Sequence, residues 1–174
     1  MLCFEQMATK SQITAEQYLH RTFEYDAEFV HGEIVERAMP DYLHGRIAFL
    51  IAQALVPATR SHRLYPCFEV RMRVESEAYR IPDVSVFAGA EPQQSVPSSP
   101  PLLVIEILPK DDRHHDLMEK LEEYRVWGVP HIWVVDPHSK RLSVYTAAGL
   151  QNVSSLTLAA YPLELTPAVL FSDL

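Results

Sequence analysis

Cysteine, glycine and positive charge are all scarce in this chain. Its 174 residues include two cysteines, Cys3 and Cys67, which form no CxxC pair and suggest no disulfide framework. That usage fits a reduced, cytoplasmic protein. The five glycines build neither a GxGxxG turn nor another phosphate-cradling loop. A GxSxG elbow is also missing, which excludes the common serine hydrolase arrangement. The eight histidines do not fall at zinc spacing. His114 and His115 are adjacent, about 100° apart on a helix, and read as solvated residues near its start. No apolar run approaches the roughly 20 residues of a membrane span. The start MLCFEQMATK has neither the basic end nor the apolar stretch of a signal peptide. Lys and Arg number 15 against 23 Asp and Glu, a formal net charge of −8. That balance argues against binding duplex nucleic acid through the overall field, but a metal ion can neutralise an acidic site locally.

What is present is an ordinary globular composition, 48% hydrophobic, long enough for one domain over residues 1–174 with a real core. Thr14 and Gln17 match a capping box that opens a helix through about His20. AEFVHGEIVERAMP reads as a hairpin turning at His31-Gly32. Ile47, Leu50, Ile51, Ala54 and Leu55 recur at helical spacing, and Pro57 is expected to stop that helix. Phe68 to Val74 alternates as a strand, and IPDVSVFAG is a second one. EPQQSVPSSPP is a Pro/Ser-rich loop, expected to be mobile. After the strand at 102–108 comes a helix from about Arg113 to Trp127 with Gly128 as its C-cap. HIWVVD and RLSVYTA form a hairpin through PHSK. This order predicts an α/β (α+β) arrangement, a mixed sheet flanked by helices, with parallel pairing of the strands on either side of the 113–127 helix.

One residue in PLLVIEILPK breaks its own pattern. Leu102 to Ile105, Ile107 and Leu108 form the unalternating apolar run of a strand buried on both faces, yet Glu106 sits in its middle. An ionised, unpaired carboxylate there costs several kcal/mol, so its pKa must rise or a cation must meet it. Asp83, after Pro82 at a strand start, and Lys120, at the border of the packed arc marked by Leu117, Leu121 and Tyr124, can meet it. Two carboxylates on neighbouring strands suit a hard cation such as Mg²⁺ or Mn²⁺, and a lysine beside it can orient water or stabilise developing charge. Each also has a plain structural account. Asp83 can cap a turn, Lys120 can pair with Asp116 at i,i+4, and Glu106 can form a static ion pair with Lys120.

Ile81-Pro82-Asp83-Val84-Ser85-Val86, the run Leu102 to Leu108, Asp116 to Lys120 with Tyr124, and Gly128 to Pro137 together resemble the Uma-two family. Glu28 to Val35, His44 and the ending Leu163 to Leu174 fit the same pattern. The resemblance implies a restriction-endonuclease-like PD…(D/E)xK fold and an endonuclease. It carries the metal-binding carboxylates to Asp83 and Glu106, and Glu33 is a further acidic contributor. The lysine usual two residues after the glutamate is Leu108 here, and its role passes to Lys120. The loop after the strand also departs, with Pro109-Lys110 where Ser-Pro is common.

The expected activity is Mg²⁺- or Mn²⁺-dependent hydrolysis of nucleic-acid phosphodiesters, DNA foremost, by a protein that can work as a homodimer. Arg71 and Arg73 are candidate phosphate contacts, or a solvated face balanced by Glu69 and Glu75. The competing classes are an inactive nuclease-like scaffold serving as a binding protein, which the acidic balance favours, and a phosphodiesterase for another substrate.

Overall fold

Reciprocal hydrogen bonds between Thr14 and Gln17, at 2.8 and 3.1 Å, close a capping box at the start of α1, Ala15–His20. The computed structural model describes residues 13–24, 26–110, 114–172 and 174; Cys3, the N-terminal stretch and the expected helix start at Arg113 lie outside them. The hairpin follows as β1, Ala27–Val30, and β2, Glu33–Glu36, with positive φ at both His31 and Gly32. Then comes α2, Tyr42–His62, N-capped by Asp41, which accepts from the His44 N–H at 2.9 Å.

Pro57 does not stop α2; the helix runs through it. Proline removes one backbone donor and strains the preceding turn, at about 3 kcal/mol in a helix interior. Burial offsets this, because Ile51, Leu55 and Ala58 on the opposite face are fully buried. Pro57 itself is exposed, on the side of α2 away from the core.

A second difference concerns the alternating stretch 68–74. It is two strands, β3 (Leu64–Phe68) and β4 (Met72–Glu75), separated at Glu69, whose φ of 53° turns the chain from one sheet into another. β5 (Ala78–Arg80), β6 (Val84–Ala88) and β7 (Leu103–Ile107) follow, then α3 (His114–Trp127), β8 (His131–Asp136) and β9 (Arg141–Thr146). The remainder is β10 (Gly149–Val153), β11 (Leu156–Leu158), β12 (Leu163–Leu165) and α4 (Pro167–Phe171). Gly128, with φ 103°, ends α3 as its C-cap.

The larger sheet has the order β10-β9-β8-β7-β6-β3, and the smaller β2-β1-β5-β4; β11 and β12 pair separately. Among the described residues only β7 and β8 pair in parallel, on either side of α3, as the pattern predicts. β7 divides the core. Leu103, Ile105 and Ile107 pack with Ile47, Ile51 and Leu55 of α2, whereas Val104 packs with Leu121 and Tyr124 of α3. The EPQQSVPSSPP loop is pinned rather than loose: Val96 packs on the Tyr18, Phe29 and Tyr79 cluster, and the Pro97 carbonyl accepts from the Arg73 N–H at 2.9 Å. Among the described residues no helix is long and apolar enough to cross a membrane.

Candidate active site

Glu106 lies on the α3 face of β7, 6% exposed. The Lys120 ammonium is within 3.1 Å of both its carboxyl oxygens, and the Tyr124 hydroxyl donates to Oε1 at 2.9 Å. Burial pushes its pKa up to about 7; Lys120 works against the rise, and the nearby Asp83 and Glu28 charges add to it.

Asp83 precedes β6. The β6–β7 register pairs Val84 with Ile105, so one further step sets Asp83 across from Glu106. Its Oδ2 accepts from the Ile107 N–H at 2.7 Å, while Oδ1 takes Arg37 Nη2 at 2.6 Å and lies 3.2 Å from His44 Nε2. Burial raises the pKa of this acid, but His44, Lys120 and Arg37 outweigh it and hold Asp83 below its usual value. The His44 imidazole moves the other way. Burial disfavours its charge, yet its bond to Asp83 and that carboxylate's field raise its pKa. His44 is the third residue of α2, so the Asp41 cap that starts the helix also fixes the backbone from which the imidazole reaches inward.

Lys120 sits at the border of the α3 packing arc with its tip inside. Its Nζ donates to Glu106 Oε2 and to the Ile81 carbonyl, both at 3.1 Å, and lies 2.8 Å from Glu28 Oε1. Its ion partners are therefore Glu28 and Glu106 instead of Asp116, which is exposed. Burial lowers the Lys120 pKa, but Glu106 and Glu28 overcome it and hold the ammonium charged. Glu28 also accepts from the Ile81 N–H at 2.8 Å and from Arg80 Nη1 at 3.0 Å. Arg80 in turn grips both oxygens of Glu123 at 2.6 Å, a bidentate pair.

The hairpin thus contributes Glu28 on β1 to the cluster. Glu33, the acid expected from that hairpin, is exposed at the start of β2 opposite Val30. The signal for Glu28 was present, since it stands between Ala27 and Phe29 as Glu106 stands between Ile105 and Ile107. Arg37, Arg80 and Glu123 gave no local signal, because their partners are distant in sequence. Arg71 lies 5.0 Å over the Tyr18 ring, and Arg73 is exposed on β4. Leu108 packs on the α3 cluster, and Lys110 is exposed past the strand.

Among the described residues no three His, Cys, Asp or Glu form a ready metal cluster. The donor chemistry nonetheless fits a Mg²⁺-type cation. Asp83 and Glu106 offer oxygen, and such a cation keeps water or phosphate oxygens in its other positions.

The Uma2 family, described as "Putative restriction endonuclease", matches residues 15–169 of this sequence. The chain belongs to the Uma2 family. An uncharacterized protein of Synechocystis, sll1609, is 30% identical over 153 residues, covering 82% of this chain and 85% of that protein. The fold is shared with a solved structure from Anabaena variabilis, described as a "putative nuclease belonging to DUF820". The TM-score is 0.81 at 20% identity, over 92% of this chain and 98% of that one. The mixed sheet flanked by helices in this Uma2 chain is accordingly restriction-endonuclease-like, as its motif series implied.

Proposed function

We propose that this Uma2 protein is a Mg²⁺- or Mn²⁺-dependent endonuclease, with nucleic acid, DNA foremost, as substrate. The observation that carries this reading is the meeting of Asp83, Glu106 and Lys120 from three separate elements, with Glu106 buried and its pKa raised to about 7. Asp83 and Glu106 would hold the cation, which when bound supplies positive charge to a phosphoryl group and acidifies a coordinated water. Lys120, kept charged by Glu106 and Glu28 and held at the Ile81 carbonyl, would lend positive charge to the phosphate oxygens, and a proton now given to Glu106 could pass to the attacking water once that carboxylate turned to the cation. Arg37 and His44 fix the orientation of Asp83. Hydrolysis adds water to phosphorus and breaks the opposite P–O bond, and the leaving oxygen takes up a proton.

A second reading has its own support. Asp83, Glu28, Lys120 and Arg80 already have close partners, which equally suits an inert ionic core on a binding scaffold. Incubation with supercoiled plasmid and with single-stranded DNA, in Mg²⁺, Mn²⁺ or EDTA, separates the two. Metal-dependent nicking is expected, falling about 100-fold or more in folded Glu106→Ala and Lys120→Ala variants. An inactive wild type with a flat calorimetric metal titration favours the scaffold.

A further inference from the structure

The two residues that hold one oxygen of Asp83 also tether a loop beside it. Arg37 Nη2 and His44 Nε2 lie 2.6 and 3.2 Å from Asp83 Oδ1. The stretch between them, AMPDYL at 38–43, therefore leaves the site and returns to it. Met39, Pro40, Asp41 and Tyr42 are all exposed along it. Met39 and Tyr42, at 69% and 78%, are the most exposed large hydrophobic side chains among the described residues. Nothing in the fold or in the ion-pair cluster accounts for them.

The loop is stiff for its length. It contains no glycine, Pro40 fixes one φ, and Asp41 caps α2 by accepting from the His44 N–H at 2.9 Å. Tyr42 is the first residue of that helix, so its backbone is set. A ring presented in this way binds at low cost in side-chain entropy.

Gly45 adds a second observation. At about 100° per residue, Gly45 lies around α2 between His44, which faces Asp83, and Tyr42. A Cβ built on it meets nothing within 4 Å, so packing does not require glycine there. Its lack of a side chain keeps the surface between the ring and the site low. Arg46 follows one turn after Tyr42, with its guanidinium carbon 5.5 Å from the Phe49 ring centroid. The chain carries −8 overall, yet α2 contains no Asp or Glu.

We infer that Tyr42, with Met39 beside it, is the platform on which an unpaired base of the substrate stacks while the adjoining phosphodiester lies at Asp83 and Glu106. This rests on the nuclease reading and adds to it a preference for single-stranded or locally unpaired nucleic acid. Position and charge select the occupant. Whatever covers this loop lies beside Asp83, and an aromatic ring followed by an arginine on an acid-free helix suits a polyanion whose bases offer apolar faces. In a duplex each base is already stacked between its neighbours, so the ring gains a partner only where a base is unstacked. Arg46 continues the surface as a phosphate contact.

Fluorescence anisotropy of the full chain with a labelled oligothymidine of about 15 nucleotides, in EDTA and in Mg²⁺, tests this apart from cleavage. Tyr42→Ala is expected to weaken binding at least about fivefold, and Tyr42→Phe to keep it. Gly45→Leu, which has open space and better helix propensity, is expected to weaken it as well. Val126→Ala, at a 64% exposed position on α3, should bind as the wild type does. An abasic oligonucleotide should bind wild type and Tyr42→Ala alike, having no base to stack. Equal loss of duplex and single-strand binding in Tyr42→Ala overturns the inference. A wild type that nicks plasmid in Mg²⁺ while binding is indifferent to Tyr42 overturns it and leaves the nuclease reading standing. A wild type that binds no nucleic acid removes both. Tyr42-dependent binding without metal-dependent nicking supports the platform and removes the nuclease reading.

Discussion

The two faces of β7 were built from one five-residue strand for opposite purposes. Toward α2, Leu103, Ile105 and Ile107 meet only hydrocarbon, and the contact is pure burial. Toward α3, Val104 is followed by Glu106 in a ring of charges whose members come from both sheets and the helix. Burial on the first face stabilises the sheet at roughly 25 cal/mol per Å² of apolar surface. Ion pairs on the second contribute little net stability, since desolvation offsets most of their attraction, although breaking one is costly. The first face holds the strand in place; the second uses that rigidity to keep a carboxyl in an environment it would otherwise leave.

The contrast breaks most sharply at Arg80. Arg80→Ala removes the bidentate partner of Glu123 and one of the two cations on Glu28, and is expected to lower unfolding free energy by about 3–5 kcal/mol in urea titration. Ile105→Ala, on the other face, should cost about 2–5 kcal/mol through cavity formation, while leaving specific nicking activity of the folded fraction near that of wild type.

The pH dependence sharpens the comparison further. Glu106 has a raised folded pKa, so between its ordinary value of 4.5 and about 7 the folded state keeps a proton the unfolded chain has lost. Stability therefore falls as pH rises through that window and levels off above it, by on the order of 3 kcal/mol. His44, also raised, adds stability below about 6.5 that is lost as pH rises through its folded pKa. Asp83, lowered, acts at the other end, its contribution disappearing as pH falls below its ordinary 3.8. Thermal melts of Glu106→Gln should lose most of the decline between pH 5 and 7 and keep the His44 part. The smallest effect is expected at Glu33. Glu33→Gln, at an exposed position, should change stability by less than any of the substitutions above, read in the same urea titration.

Glu106 was legible in the sequence because a five-residue apolar strand leaves a charge nowhere to hide. Lys120 was legible through helix phase, which set it at the packed border. Glu28 carried the same signal more faintly: its strand is four residues long and belongs to a hairpin, where an acid beside apolar residues is unremarked. Arg37 and Asp83 are 46 positions apart, and no periodicity reports such a contact. The fold shows a similar division. The parallel pair around α3 followed from element order, whereas the break at Glu69 did not, because alternation continues across it while a single left-handed residue changes the sheet. Pro57 misled for the converse reason: a local rule against proline yields to a helix buried along its opposite face.

Placing the cation on α3 instead of two residues along β7 separates the chemistry from the sheet. A fragment ending before residue 114 holds Asp83 and Glu106 but no Lys120, so a nascent chain carries both acids before it can carry the complete site. Likewise, an excursion in which α3 alone undocks abolishes the constellation while the hydrogen-bonded strands persist. Lys120 thus meets Glu106 and Glu28 only while α3 is packed against the sheet.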